Sequence, residues 1–172
     1  MFIRIALVTI LTMGIFGFGS KAKAIEVGAE APRVEGLDQD GALFHFADAY
    51  AKGVTLVFFY PKADTPGCTA QACSLRDAFE SLKAENLQVV GVSRDNADAQ
   101  KKFQGKYHLP FPLVADSDGK VAEAFGVPGI FGMPITKRQS FLVKDGKVVW
   151  KAESAETAKH AVEVQAALNA LK

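Results

Sequence analysis

Val54-Thr-Leu-Val-Phe-Phe-Tyr60 is uncharged and almost entirely β-branched or aromatic. A run with no polar alternate reads as a strand buried on both faces, as inside a sheet that is covered on both sides. Leu87–Val92 (LQVVGV) has the same character and predicts a second such strand. Between them lie a loop, Pro61–Gly67, and a helix from about Cys68 to Asn86, where Leu75, Phe79 and Leu82 recur at helical spacings. Further on, Asn96 is placed to cap a helix running to Tyr107, Phe111–Ala115 reads as a shorter strand, and Lys120–Phe125 as a short helix stopped by Gly126. Ser140–Val143 and Lys147–Trp150 flank Lys144-Asp145-Gly146, a hairpin signal, and a last helix spans about Thr157 to Leu171, with Ala161, Val164, Leu168 and Leu171 on one side. Toward the N-terminus, Asp38–Gly41 is a turn, residues 42–46 a short strand, and residues 25–36 an exposed lead-in. Strands alternating with helices, then a hairpin and a final helix, predict an α/β fold: one mixed central sheet with helices on both faces.

The chain has 172 residues, 49% hydrophobic and 23% charged, which is globular rather than disordered. Its formal charge of +1 gives no support for a nucleic-acid binder. The first two dozen residues have a different character. Arg4 precedes an apolar run of 14 residues, Ile5–Phe18, and Ala22-Lys23-Ala24 follows as a small-x-small site. The run is short for a membrane span of ~20 residues. The order is that of a secretory signal, with cleavage expected after Ala24 and a domain over residues 25–172. Lys21 and Lys23 beyond the run leave an uncleaved anchor as the alternative. Loss of Arg4, Lys21 and Lys23 takes the charge from +1 to −2. The expected location is the periplasm, with no stable membrane insertion after cleavage, in a compartment where disulfides persist.

The chain's two cysteines fall together in Pro61-Lys-Ala-Asp-Thr65-Pro-Gly-Cys68-Thr-Ala-Gln-Ala-Cys73. Thr65 or Asp64 is suited to cap a helix and Pro66 to its first position. Cys68 then sits in the first turn, where unpaired N–H groups and the helix dipole favour a thiolate, the reactive form of cysteine. Five residues on, Cys73 is turned by about 140°, with its Cα about 8.7 Å away on an intact helix. A disulfide rarely tolerates more than ~7 Å. Either the pair never bonds, or bonding unwinds the start of the helix. Redox chemistry competes here with two inert packed thiols and with a structural disulfide on a different helix start. A metal site is disfavoured, because His45, His108 and His160 show no ligand spacing with the cysteines. Taken alone, Arg138 reads as a surface ion pair and Thr65 as a helix cap. Arg76 reads as structural or surface, and no role falls to Gln71.

The stretch Val57–Asp77, VFFYPKADTPGCTAQACSLRD, resembles the peroxiredoxin active site, and most of all the peroxiredoxin Q subfamily, also called bacterioferritin comigratory proteins. Pro61, Thr65 and Cys68 meet the pattern P-x-x-x-T-x-x-C, and a second cysteine five positions on marks that subfamily. Arg138-Gln-Ser-Phe-Leu-Val143, followed by Asp145-Gly146-Lys147, is similar to the segment that carries the family's active-site arginine. The resemblance implies a thioredoxin-like fold and a thiol-dependent peroxidase acting on hydrogen peroxide and small organic hydroperoxides, without a cofactor. It makes Cys68 the peroxidatic cysteine and Cys73 the resolving one. Arg138 and Thr65 would hold the peroxide, Pro61 would shield the pocket, and a thioredoxin-like dithiol protein would reduce the disulfide. A general thiol–disulfide oxidoreductase is the main competitor, and the absence of C-x-x-C speaks against it. No broad apolar face beyond the core elements calls for a partner subunit, so a monomer is the expectation.

Overall fold

The computed structural model of the chain describes residues 24–172; the expected signal segment, apart from Ala24, lies outside them. Among the described residues, seven strands form one mixed sheet: β1 Glu35–Leu37, β2 Leu43–His45, β3 Val54–Phe59, β4 Leu87–Ser93, β5 Leu113–Ala115, β6 Ser140–Lys144 and β7 Lys147–Ala152. Their order across the sheet is β2-β1-β5-β4-β3-β6-β7. β3 runs parallel to β4, with Val54 opposite Leu87, and antiparallel to β6, with Thr55 opposite Val143.

The double burial expected of β3 is what the packing shows. Leu56 and Phe58 point into one apolar layer and Val57 and Phe59 into the other, as the two-residue period of a strand requires. β4 and β6 divide in the same way: Val89 and Leu142 join the first layer, while Val90, Val92, Phe141 and Val143 join the second. The first layer is closed by helices α2 Pro66–Asp77, α3 Phe79–Ala84, α4 Ala97–Tyr107 and α6 His160–Asn169. The second is closed by α1 Phe46–Tyr50 and α5 Lys120–Ala124. Much of the unusual phenylalanine content gathers in the second layer, where Phe46, Phe59, Phe125 and Phe141 meet with ring centroids 5.3–6.0 Å apart.

Local signals explain most boundaries. Asn96 accepts from Ala99 N at 2.9 Å and starts α4 as expected. The β6–β7 hairpin turns on Asp145 and Gly146 at φ 52° and 75°, the two positive values of a type I′ turn. Two expectations are corrected. The lead-in holds β1, which pairs with β2 across a turn where Asp38 Oδ1 accepts from Ala42 N at 2.9 Å. The single helix 68–86 is two helices, broken at Ala78, where the backbone leaves the helical region (φ −95°, ψ 2°). Beyond the break, Phe79 meets Phe111 at 6.0 Å and Leu82 is buried. With no proline or glycine at the break, the apolar period carried no sign of it. The last helix also begins as a 3-10 turn, Thr157–Lys159, before α6.

Gly105 lies on the exposed side of α4 with helical backbone, and a Cβ built there meets nothing within 4 Å. Gly105→Ala is expected to stabilise the fold by ~0.5–1 kcal/mol through the unfolded chain's lost freedom. A shift of the urea midpoint to higher concentration, at constant slope, checks it.

Candidate active site

β3 ends where two of its neighbours still pair with it. Phe59 N donates to Gln139 O at 2.7 Å and Tyr60 N to Val92 O at 3.1 Å. These bonds fix the exit at Pro61 and bring Arg138, at the entry to β6, alongside it. Crevices outside the C-terminal ends of parallel strands are where sheets of this kind place their sites.

The loop from Pro61 to Thr65 is pinned from outside. Ala63 N donates to Asp95 Oδ2 at 2.7 Å. Asp64, in the left-handed region at φ 57°, accepts from Lys106 Nζ at 2.8 Å and from Tyr107 Oη at 2.6 Å. Those two bonds hold its carboxyl below the usual range. Pro61 is half-buried at the mouth of the loop. Thr65 takes the N-cap position of α2, with Pro66 first in the helix, but the expected side-chain cap is absent. Its hydroxyl donates instead to Lys62 O at 2.9 Å, and Asp64 is engaged by α4. Among the described residues, the first N–H groups of α2 therefore have no side-chain cap.

Cys68 stands third in α2 and is 2% exposed. Arg138 Nη2 donates to its Sγ at 3.4 Å, which places a guanidinium against the sulfur at the positive end of the helix. The same guanidinium lies over Gly67, where a Cβ would come to 3.4 Å from Nη2. Arg138 is thus no surface ion pair. Cys73 is half-buried, both cysteines are free thiols, and the helix between them is unbroken. The inward stripe of α2 is Cys68, Gln71, Ala72 and Leu75, so Cys73 faces away from it. Arg76 bonds Asp77 and the carbonyl of Tyr107, in keeping with a structural part.

Two residues without an assigned role complete the cluster. Gln71 is fully buried, its Oε1 accepting from Arg138 Nη1 and its Nε2 lying 3.1 Å from His160 Nδ1. His160 is fully buried at the start of α6, with its ring edge-to-face to Phe58 at 6.0 Å. Burial, and then the nearby Arg138 cation, push its pKa down to about 4. A signal for Gln71 existed: a polar residue on an apolar stripe, three after Cys68 and four before Leu75. His160 likewise stands four before Val164 on the stripe of α6. Their meeting across 89 positions had no local signal.

Comparison with known proteins places the chain. The model of the AhpC/TSA family matches residues 27–151. Peroxiredoxin Bcp of Escherichia coli strain K12 is 39% identical over 142 residues, covering 79% of this chain and 90% of that protein. Chloroplastic peroxiredoxin Q of Oryza sativa subsp. japonica is 38% identical over 125 residues, covering 73% of this chain. Among solved structures, peroxidoxin BcpB of Mycobacterium tuberculosis superposes with a TM-score of 0.80 at 33% identity, over 86% of this chain and 99% of that one. The Xanthomonas campestris bacterioferritin comigratory protein gives 0.75 at 28% identity, over 85% and 99%. The chain belongs to the AhpC/TSA family, in the peroxiredoxin Q and Bcp group of peroxiredoxins, and its fold is thioredoxin-like. It spans 57% of the length of the rice peroxiredoxin Q that it matches.

The neutral state of His160 has a consequence for stability. The unfolded chain takes up a proton near pH 6.5, which the folded chain refuses until about pH 4. The stabilisation is full above pH 6.5, falls as the pH drops through that window, and is gone below about 4. The loss attributable to this one group is about 3 kcal/mol. Denaturant titrations from pH 7 to 4 are expected to show that excess slope in the wild type and to lose it in His160→Asn.

Proposed function

We propose that this protein is a thiol-dependent peroxidase for hydrogen peroxide and small organic hydroperoxides. The observation that carries this reading is Arg138 bonded to the Cys68 sulfur at 3.4 Å, beside a helix N-terminus without a side-chain cap. The Xanthomonas relative is described for alkyl peroxide reduction, which supports the same substrate class.

The Cys68 thiolate attacks one oxygen of the peroxide. The S–O bond forms as the O–O bond breaks, and the far oxygen leaves as hydroxide or alkoxide and takes a proton. A thiol of ordinary pKa ~8.5 is about 3% ionised at pH 7, so full ionisation gains at most ~30-fold, about 2 kcal/mol. Larger accelerations have to come from stabilising charge on the two oxygens as they separate. Arg138 and the first N–H groups of α2 are the donors for that task; the Thr65 hydroxyl joins them only by turning its proton away from Lys62 O, and Pro61 shields the sulfur. Cys68, now a sulfenic acid, condenses with the Cys73 thiol, releasing water and forming a disulfide. The two electrons that reduce the peroxide come from these two thiols. A thioredoxin-like dithiol restores them by exchange and is itself oxidised.

Stopped-flow mixing of the reduced protein with one equivalent of hydrogen peroxide, followed through Trp150 fluorescence and thiol mass spectrometry, tests the cycle. The wild type is expected to change signal rapidly and lose two hydrogens, reversibly with a dithiol. Cys68→Ser is expected to abolish turnover. Cys73→Ser permits one oxidation without normal recycling, and Arg138→Met slows oxidation on the order of 100-fold. Full peroxidase activity in Cys68→Ser would overturn the assignment.

We also propose that the protein is exported to the periplasm with residues 1–24 removed, on the strength of Arg4, the apolar run and Ala22-Lys23-Ala24. A protein recovered from the periplasmic fraction with Ile25 at its N-terminus is the expected result; a cytoplasmic protein retaining Met1 would contradict it.

A further inference from the structure

The polar chain behind Cys68 has a direction fixed by its chemistry. A guanidinium donates and never accepts, so the atom of Gln71 facing Arg138 is the carbonyl Oε1. Its amide group, Nε2, therefore faces His160 and donates to Nδ1 at 3.1 Å. Nδ1 can accept only if it carries no proton, so the ring proton of neutral His160 sits on Nε2. That nitrogen is buried and has no hydrogen-bond partner among the described residues. Burying an N–H unpaired is unfavourable, and the arrangement retains it in order to present the acceptor to Gln71.

The same contacts tie two helices together on either side of Cys73. Gln71 precedes it and meets His160, while Ser74 follows it and its Oγ accepts from Ala161 N at 3.1 Å. His160 and Ala161 are consecutive residues at the start of α6. Bringing Cys68 to Cys73 requires unwinding the segment that contains Gln71.

We propose that His160 is a positioning residue that acts through Gln71 in two opposite senses. It aims Arg138 at Cys68 and so speeds the attack on peroxide, and it holds α2 wound against α6 and so slows formation of the Cys68–Cys73 disulfide. The proposal rests on the peroxidase reading above. No atom of His160 is required to touch the peroxide. Its role is to set the relative speeds of the two steps, and therefore how long the sulfenic acid of Cys68 stays open to a second peroxide.

His160→Leu removes the acceptor and keeps an apolar filling. The loss of one hydrogen bond predicts Cys68 oxidation about fivefold to tenfold slower and disulfide formation faster by a similar factor. His160→Asn restores an acceptor near the position of Nδ1 and is expected to recover most of both changes, whereas His160→Gln is not. A role in packing alone would not move the two rates in opposite directions, nor would it separate Asn from Gln. Amide hydrogen exchange over residues 67–74 of the reduced protein reads the tie without peroxide, and is expected to quicken in His160→Leu and return with His160→Asn. If wild-type protein does not react with peroxide, the peroxidase reading fails, and this exchange measurement still judges the tie. Unchanged rates and exchange in a folded His160→Leu, or both steps slowed together without recovery in His160→Asn, would overturn the proposal. Should His160→Leu not fold, Gln71→Met breaks the same chain from the other end and carries the same expectations.

Discussion

An intact α2 keeps the two thiols apart, and much of the site is arranged around that fact. Five residues of ideal helix separate the Cα atoms by about 8.7 Å, beyond the reach of a disulfide. The sulfur that belongs at the helix start, where N–H groups converge, is thus held in a wound segment that its partner cysteine can reach only by unwinding it. Cys68 is buried on the inward stripe and Cys73 is not, so on the proposed cycle one helix would serve two incompatible geometries in turn. The wound state suits the attack on a peroxide; the unwound state suits the bond between sulfurs.

The rest of the fold supplies a rigid frame for that exchange. β3 is packed on both faces and bonded on both edges, and its last residues carry the pairing that sets Arg138 beside Cys68. Arg138 in turn meets Gln71 and Gln71 meets His160, so the inner wall of the site is a line of polar groups between apolar layers. Such a line contributes little when every member is satisfied and costs much when one is removed. Its value lies in geometry: the guanidinium, which only donates, turns the Gln71 carbonyl toward itself, and the amide then faces the imidazole, whose Nδ1 accepts from it.

Much of this was legible in the sequence. The run from Val54 to Tyr60 announced a doubly buried strand, Asn96 a helix start and Asp145-Gly146 a hairpin. Pro66 and the position of Cys68 announced a helix N-terminus with a thiol in its first turn. Three things were not legible. β1 is three residues paired with an equally short β2 and with the distant β5, and a strand that short has no period to read. The break at Ala78 lacks a breaking residue, because tertiary packing rather than local preference decides it. Gln71 and His160 each sit on an apolar stripe, but a buried polar residue names no partner until the fold brings one to it.

The outside pinning of the Pro61–Thr65 loop bears on how quickly the molecule is ready for another round. On the proposed cycle, α2 is rewound after every reduction. Starting a helix is the unfavourable part, since several dihedrals must be fixed before the first bond is made, whereas extending one takes only nanoseconds per residue. Asp95 and the Lys106–Tyr107 pair grip Ala63 and Asp64 independently of α2, and Pro66 fixes one dihedral of the first turn. The seed of the helix therefore survives when its body melts. Recovery becomes growth from a standing template, and the dead time between turnovers is left to the reductant's arrival rather than to the protein's own refolding.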